Sequence, residues 1–329
     1  MILDRRAFLR LAGVSLGAGA LYRASPALAA DGPGAALGRR LAAANGEAPA
    51  PFLFAQLSDT HVGFQGPPDP MGTAAFERAA AVLDGLPARP ELVLFTGDLT
   101  HDSEDQDERV RRMRKFQEIA RRIRVPQLRM IPGEHDAGID GGALYREIFG
   151  ETSYAFDHRG VHFVALDNVS RAKPEVGAER LAWLKQDLAR YAPTTPIVVF
   201  THRPLFDLKP EWEWFTRDGD AVMNLLAPYE NVTVLYGHIH REDIHTVAGV
   251  RHLAARSLVF AFPDPAQPQK KPLPYDPDHP FKHLGLRLVH AGPEKPGGAV
   301  SLGLEEVELT MREHSGTEGL AQLLKAAPE

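Results

Sequence analysis

Short hydrophobic runs alternate with helix-length segments along most of this chain, and polar residues directly follow many of the runs. Runs rich in Val, Ile, Leu and Phe predict β-strands buried on both faces, and their alternation with helices predicts an α/β fold. The predicted strands cover residues 52–57, 91–96, 127–131, 161–166, 196–200, 232–236, 284–290 and 301–309. The predicted helices cover residues 73–86, 104–124 and 178–190.

Acidic residues and histidines stand at the ends of several predicted strands. Taken one at a time, such a residue is more typical of a turn or a helix cap than of a ligand. Ligands of α/β proteins bind at the carboxyl ends of strands, however, so these side chains are expected to lie close together. In chain order they are Asp59 and His61, then Asp98, Glu134 and His135, His202, and finally His238 and His240.

The composition limits the chemistry of such a site. The 329 residues include 14 histidines and no cysteine. The absence of cysteine excludes disulfides, thiolate zinc or iron–sulfur sites, and a cysteine nucleophile. Carboxylates and neutral imidazoles gathered without thiolates favour zinc, manganese or iron in a two-metal hydrolytic centre.

The charge balance argues against a polyanionic partner. The chain has 37 Lys and Arg residues against 43 Asp and Glu residues, a formal net charge of −6, and 44% of its residues are hydrophobic. These values are ordinary for a globular protein and exclude a disordered or collagen-like chain. Because no basic block is present, neither duplex nucleic acid nor an anionic membrane surface is an expected partner, whereas a small nucleotide is still allowed.

The N-terminus has the features of an export signal. Arg5 and Arg6 precede a short stretch rich in Gly and Ala, and Ala27 and Ala29 form a small-x-small site. Paired arginines of this kind are typical of twin-arginine signals, which direct the export of folded proteins. We therefore expect twin-arginine export with cleavage near Ala29 or Ala30, a periplasmic or secreted protein, and no stable membrane span afterwards. The alternatives are an uncleaved N-terminal anchor and a chance Arg-Arg pair.

The order of the polar blocks resembles that of calcineurin-like metallophosphoesterases. The blocks of that family are Asp-x-His, Gly-Asp, Gly-Asn-His-Asp/Glu, a later His, and Gly-His-x-His. They are matched by Asp59-Thr60-His61, Gly97-Asp98, Gly133-Glu134-His135-Asp136, His202 and Gly237-His238-Ile239-His240. The resemblance covers roughly residues 52–241 and implies a four-layer α/β/β/α sandwich of two mixed β-sheets. The hydrophobic pattern alone predicts α/β but does not distinguish one sheet from two.

The resemblance also implies a metal site and a reaction. Asp59, His61 and His240 would bind one metal ion, Glu134, His202 and His238 a second, and Asp98 would bridge them. The two ions, manganese, iron or zinc, would share a hydroxide that attacks the phosphorus of a small phosphoester.

Two residues next to the expected metal ligands are implied in catalysis. His135 would donate a hydrogen bond or proton to a phosphoryl oxygen or to the leaving group. Asp136 would orient His135 by accepting its other N–H. For both residues, a structural hydrogen-bond pair in a tight loop is the alternative.

One position departs from the family pattern, because Glu134 stands where the family has Asn. If Glu134 still binds the second metal ion, the added carboxylate favours a more highly charged ion such as ferric iron. Alternatively, Glu134 misplaces or loses that ion, and the protein is a weak enzyme or an inactive phosphate- or metal-binding envelope protein on the same scaffold. The first interpretation is favoured because every other block is intact.

Several further features are left open. His101 and Asp102 are expected to be the solvated start of a helix, and Arg203 either steers phosphate or lies at the surface. Aromatic residues around Trp212 could stack on a substrate ring or fasten their own loop to the protein. The segment 262–280 contains seven prolines and is expected to be a stiff surface loop.

The predicted organisation has four parts. They are a signal peptide over 1–30, a flexible lead-in over 31–50, a metallophosphoesterase domain over 51–310 and a C-terminal tail over 311–329. The predicted activity is metal-dependent phosphoester hydrolysis, and the pattern does not choose between monoesters and diesters.

Overall fold

A computed structural model describes residues 51–293 and 300–309. The predicted signal peptide, lead-in and C-terminal tail lie outside these residues. The strands are β1 Phe52–Leu57, β2 Leu92–Thr96, β3 Gln127–Ile131, β4 Tyr154–His158, β5 Val161–Ala165, β6 Ile197–Phe200, β7 Val232–Tyr236, β8 Asp243–Val247, β9 Val250–Ala254, β10 Gly285–Pro293 and β11 Val300–Glu308. The helices are α1 Ala74–Asp84, α2 Gln106–Ala120, α3 Glu134–Ala137, α4 Ala143–Phe149, α5 Ala178–Leu188 and α6 Gly219–Leu226, with a 3-10 turn at Pro210–Trp212.

The strands form two mixed sheets. The first has the order β11-β10-β1-β2-β3, and the second has the order β4-β5-β6-β7-β9-β8. Strands β1, β2 and β3 are parallel to one another, as are β5, β6, β7 and β9. The other strands join antiparallel at the edges of each sheet. The prediction of two mixed β-sheets is therefore confirmed.

The hydrophobic strands are buried on both faces because each sheet lies between two layers. Side chains alternate along a strand, so Phe54 of β1 points towards the second sheet, where its ring meets that of Phe163 with centroids 5.6 Å apart. The neighbouring Leu53 and Leu57 point the other way, into a core shared with α1 and α2. On the far side of the second sheet, Val199 packs in a core with residues of α5 and α6. The layers are thus α/β/β/α, as the resemblance implied.

A polar contact also joins the two sheets between their hydrophobic faces. Arg287 of β10 is fully buried and donates to Gln56 Oε1 at 2.9 Å and to the Ala254 carbonyl at 2.7 Å. Gln56 in turn donates to the carbonyl of Tyr236 at 3.0 Å. Because Tyr236 and Ala254 end β7 and β9, this bridge lies close to the strand ends that carry the predicted site. None of the helices in residues 51–293 and 300–309 is long and apolar enough to cross a bilayer.

Candidate metal centre

The carboxyl ends of five parallel strands bring the predicted ligands together. Asp59 and His61 follow β1, Asp98 follows β2, Glu134 follows β3, His202 follows β6, and His238 and His240 follow β7. Their ligand atoms form two clusters in which all atoms lie within 4.8 Å of one another. The first half-site consists of Asp59, His61, Asp98 and His240, and the second half-site of Asp98, Glu134, His202 and His238.

The spacing in the first half-site suits a single metal ion. His61 Nε2 lies 3.2 Å from His240 Nε2 and 3.3 Å from Asp98 Oδ2, and His240 Nε2 lies 3.3 Å from Asp59 Oδ1. Nitrogen and oxygen ligands about 2.0–2.2 Å from one ion are separated by about 3–3.5 Å. These four side chains therefore have the separation that a shared ion requires.

The second half-site contains buried polar atoms that converge without hydrogen-bonding one another. Glu134 Oε2 lies 2.8 Å from His202 Nε2, and Glu134 Oε1 lies 2.8 Å from His238 Nδ1. Among the described residues, Glu134 Oε2, His202 Nε2 and His238 Nδ1 have no hydrogen-bond partner. Buried polar atoms are normally paired, so this convergence fits a cation between them.

Asp98 is placed to serve both half-sites through one oxygen. Its Oδ2 atom lies 3.3 Å from His61 Nε2 and 3.3 Å from His202 Nε2. Its other oxygen, Oδ1, accepts a hydrogen bond from the backbone amide of His135 at 3.0 Å. This position fits the bridging role that the resemblance implied.

Backbone carbonyls hold three of the imidazoles by the ring nitrogen that faces away from the centre. His202 Nδ1 donates to the Thr96 carbonyl at 2.7 Å, and His240 Nδ1 donates to that of Phe260 at 3.0 Å. His238 Nε2 donates to the Glu213 carbonyl at 3.2 Å. Such bonds fix the ring orientation and leave the opposite nitrogen free to accept a metal ion.

The loops that carry the ligands adopt backbone conformations that are uncommon for residues other than glycine. Positive φ angles occur at Asp59, His61, Asp98, His238 and His240, with values of 53°, 40°, 48°, 65° and 51°. Left-handed conformations in such residues cost free energy and persist where surrounding structure enforces them, often at functional sites.

Close packing explains the glycines of the Gly-Asp and Gly-Glu-His-Asp blocks. Gly97 has a φ of 94°, and a Cβ atom there would lie 2.3 Å from His202 Nδ1. A Cβ atom on Gly133 would lie 2.0 Å from Asp98 Oδ1. Any larger residue would therefore displace a predicted ligand.

The pKa of His202 is shifted in the opposite direction from those of His61 and His238. Burial lowers the pKa of His61 well below its ordinary value and lowers that of His238 to about 4, so both rings are neutral at pH 7. Burial also opposes charge on His202, but the carboxylates of Asp98 and Glu134 outweigh it and hold the pKa of His202 well above the usual value. The carboxylates of the second half-site thus attract positive charge.

Arg203 compensates the charge of Glu134 and is not a surface residue. It is 7% exposed, its Nη2 lies 3.3 Å from Glu134 Oε1, and its Nη1 donates to the Glu213 carbonyl at 2.8 Å. Burial opposes ionisation of Glu134, but His238 and Arg203 hold the pKa of its carboxyl well below the usual range. Glu134 is therefore an ionised carboxylate in the position expected of a ligand.

The predicted pairing of His135 with Asp136 is wrong. His135 Nδ1 donates instead to Asp102 Oδ1 at 2.8 Å. The fully buried Asp136 carboxylate accepts from the backbone amides of Leu99, Thr100 and Gly133 at 2.9, 2.8 and 2.9 Å. Consecutive residues of a helix point about 100° apart, so Asp136 faces the loop after β2 and cannot face its neighbour.

Asp102 and His135 form a charged pair beside the half-sites. The hydrogen bond from His135 lowers the pKa of Asp102 to about 2. Burial opposes charge on His135, but Asp98 and Asp102 outweigh it and raise its pKa to about 9. The carboxylates around His135 therefore favour its protonated form.

The loop after β2 is also not the start of a helix, contrary to expectation. Helix α2 begins at Gln106, capped by the side chain of Asp105. His101 stacks on His135 with ring centroids 4.6 Å apart, and its Nδ1 lies 3.2 Å from His61 Nδ1. The signal available in the sequence was the position of His101 and Asp102 directly after the Gly-Asp block.

Asn168, which follows β5, supports the loop that carries His202. Its Oδ1 accepts from the backbone amides of His202 and Arg203, each at 3.3 Å, and its Nδ2 donates to the Arg203 carbonyl at 2.9 Å. Asn168 therefore fixes the loop that presents His202.

The loop that carries Trp212 and Trp214, here called the aromatic loop, is fastened to the protein body. This agrees with the second of the two alternatives given for these aromatic residues. Trp212 and Trp214 are 6% and 0% exposed and pack with Tyr236 and Ile239. The proline-rich segment continues this packing, since the ring of Phe262 lies 5.0 Å from that of His240. The segment therefore reaches the rim of the centre and also lines a cleft of about 1220 Å³ beside it.

Comparisons with known proteins agree with this geometry. Residues 52–242 match the calcineurin-like phosphoesterase family. A probable glycerophosphodiester phosphodiesterase from Arcobacter nitrofigilis is 26% identical over 204 residues, which cover 58% of this chain and 72% of that protein. A probable cyclic nucleotide phosphodiesterase from Rhodococcus erythropolis is 29% identical over 229 residues, covering 65% of this chain and 73% of that protein.

Solved structures share the fold. The crystal structure of a dimetal phosphatase from Danio rerio superposes with a TM-score of 0.57 at 15% identity, covering 81% of this chain and all of that one. Fold, site and relatives together define a phosphoric ester hydrolase with a centre suited to two metal ions. The chain belongs to the calcineurin-like phosphoesterase family.

Proposed function

We propose that this protein hydrolyses a small phosphodiester, using the two half-sites to hold two metal ions. The observation that carries the proposal is the convergence of buried, unpaired ligand atoms around the shared oxygen of Asp98. The diester is supported by the two relatives, which are named phosphodiesterases. When bound, two metal ions supply a nucleophilic water near neutral pH and neutralise charge on the phosphoryl oxygens.

The choice of metal follows from the donor set. Each half-site offers two carboxylates and two imidazoles, with Asp98 common to both. Oxygen and nitrogen donors without sulfur suit manganese, iron or zinc, and the additional charge of Glu134 favours a more highly charged ion in the second half-site.

His135 is proposed as the proton donor to the leaving group. In diester hydrolysis the oxygen of water bonds to phosphorus, the ester P–O bond breaks, and the departing alkoxide takes a proton. The carboxylates of Asp98 and Asp102 favour the protonated His135 ring, and Asp102 orients it through a 2.8 Å hydrogen bond. Asp102 thus takes the role that the sequence had suggested for Asp136.

We also propose that the chain acts outside the cytoplasm after twin-arginine export. Arg5, Arg6 and the small residues Ala27 and Ala29 support this proposal. Replacing both arginines with lysine should retain the full-length precursor in the cytoplasm, as measured by cell fractionation. Unchanged export of that variant would contradict the proposed route.

The activity is tested on metal-analysed protein purified after export from its native host. Metals per chain are measured, and turnover of bis(p-nitrophenyl) phosphate is compared with that of p-nitrophenyl phosphate in manganese, zinc and iron. We expect more than one metal ion per chain and faster diester hydrolysis. Asp102→Asn should lower kcat about 10- to 100-fold with metal content unchanged, whereas the exposed control Glu151→Gln should match the wild type.

Two outcomes would contradict the proposal. Less than about one metal ion per chain, with no hydrolysis gained by Glu134→Asn, would exclude the two-metal centre. Binding of phosphate without turnover under all conditions would favour a binding protein on the same scaffold.

A further inference from the structure

We propose that Lys270 of the proline-rich segment is a substrate-binding residue whose ammonium contacts a non-bridging phosphoryl oxygen beside the second half-site. The proposal rests on the proposed function, since it assigns a contact within the same site. It also gives the proline-rich segment a role, namely completing the substrate site from outside the two sheets.

Two successive backbone carbonyls of the aromatic loop, at the end of the 3-10 turn, place the ammonium next to the second half-site. Lys270 Nζ donates to the Trp212 carbonyl at 3.0 Å. The next carbonyl along the chain, that of Glu213, accepts from Arg203 Nη1 at 2.8 Å and from His238 Nε2 at 3.2 Å. The adjacent carbonyls of Trp212 and Glu213 thus hold three side chains. They are Lys270, Arg203, which is the cation beside Glu134, and His238, which is an expected ligand of the second half-site.

Aromatic rings fix the direction of the side chain. The Lys270 ammonium lies 5.3 Å from the ring centroid of Phe262 and 5.9 Å from that of Trp214. Both distances fall within the range of cation–π attraction, about 6 Å. Phe262 in turn contacts His240, so one of the two rings that hold Lys270 also borders the first half-site.

In the part of the chain that the structure describes, Lys270 has no carboxylate partner of its own. Although the residue as a whole is exposed, its ammonium forms no ion pair within residues 51–293 and 300–309. Loss of hydration lowers the pKa of Lys270, and among the surrounding charges Glu134 opposes this most strongly. A partly desolvated ammonium gains most from an anion, and the reacting phosphoryl group is the anion that this site is built to receive.

The neighbouring lysine provides a matched control. Lys271 lines the adjacent cleft together with residues such as Tyr275, whereas Lys270 is not among the residues lining that cleft. The two lysines therefore point to different surfaces of the same stiff segment. Removing either one changes the net charge equally, but only Lys270 is expected to affect anion binding.

The experiment compares wild type, Lys270→Met, Lys270→Arg and Lys271→Met as metal-loaded full-length proteins. Calorimetry measures the affinity of inorganic phosphate, and kinetics separate kcat from KM for the diester. Lys270→Met should weaken phosphate binding and raise KM by about 10- to 100-fold with a smaller change in kcat. Lys270→Arg should restore part of the phosphate affinity, and Lys271→Met should stay within about twofold of wild type.

Metal content and melting temperature distinguish a binding role from a structural one. Equal phosphate affinity in wild type and Lys270→Met, at equal metal content, would overturn the proposal. If Lys270→Met lost metal or stability, Lys270→Gln would replace it, because glutamine retains a donor for the Trp212 carbonyl without the charge. If the wild type hydrolysed no ester, the proposed function would fail, whereas phosphate binding that depends on Lys270 would still support the anion contact.

Discussion

The two sheets contribute different chemistry to the centre. Loops of the first sheet supply every carboxylate of the two half-sites together with His61, whereas loops of the second sheet supply imidazoles only. Each half-site combines both kinds of donor, so neither sheet presents a complete site. The centre is therefore a property of the interface between the sheets, and its stability is coupled to their packing.

Hydrogen bonds across the interface strengthen this coupling. His202 of the second sheet donates to the Thr96 carbonyl of the first sheet at 2.7 Å. The backbone amide of His238 donates to both carboxylate oxygens of Asp59 at 3.1 Å. The carboxylates of the first sheet are thus oriented partly by the loops that supply the imidazoles.

The largest expected effect comes from removing the carboxylate that serves both half-sites. Asp98→Asn removes the charge of the bridging side chain and leaves it one oxygen, instead of two, that can bind a metal ion. We expect activity to fall by about 10³-fold or more and metal content to drop in both half-sites. Metal analysis and kcat/KM measure these effects, and retention of two metal ions per chain would contradict the bridging role.

Removing metal should destabilise the folded protein, because each ion would join the two sheets. At a free metal concentration about 1,000-fold above Kd, binding stabilises the native state by about 4 kcal/mol. Denaturant unfolding with and without a chelator measures this difference. In Asp98→Asn the chelator should change the free energy of unfolding little. An equal change in wild type and Asp98→Asn would show that this stabilisation does not depend on metal ions bound by Asp98.

The polar bridge behind the centre tests sheet packing without touching a ligand. Arg287→Met leaves Gln56 Oε1 and the Ala254 carbonyl without their buried donor, and Glu306 loses its ion-pair partner. We expect the free energy of unfolding to fall by about 3 kcal/mol. Metal content per folded chain should stay unchanged, and its loss would show that the bridge also positions the ligand loops.

The smallest effect concerns the second sheet alone and is measured as a pH dependence. Burial lowers the pKa of His252 to about 4, below its ordinary value of 6.5. The unfolded chain therefore binds this proton more readily, and stability is lost as the pH falls from above 6.5 through 4. Between pH 7 and pH 5 this residue should account for about 2 kcal/mol.

Comparison with His252→Leu isolates that contribution, because leucine removes the titrating group. Unfolding free energies of the two proteins are measured across the same pH range. The variant should lose less stability than wild type on acidification, and equal slopes would show that His252 is not held neutral.

Much of the fold and of the ligand set could be predicted because both depend on local signals. Strands such as β1 and β7 are buried throughout and mostly hydrophobic since both of their faces are covered, and polar residues at their carboxyl ends mark the edge where ligands collect. The strand β4 gave no comparable signal, because its residues are mostly half-exposed. Metal binding by the assembled ligands stays a prediction for metal analysis.

The partners of residues within the site could not be predicted in the same way. Asp136 is adjacent to His135 in sequence, yet the helix turns it towards Leu99 and Thr100. Asp102 comes from another loop and reaches His135 only because β2 and β3 are neighbours in the first sheet. Similarly, Arg203 faces Glu134 because His202 and its loop pack against the first sheet.

The sequence by itself determined the α/β class, the absence of thiolate ligands, the family resemblance and the residues at the strand ends. Tertiary structure decided which oxygen of Asp98 is shared, which aspartate orients His135, that Arg203 lies beside Glu134, and that Lys270 reaches the Trp212 carbonyl. The physical reason is that strand burial and strand ends are encoded by neighbouring residues. The direction of a side chain and its charge partners depend on loops that meet only when the two sheets pack together.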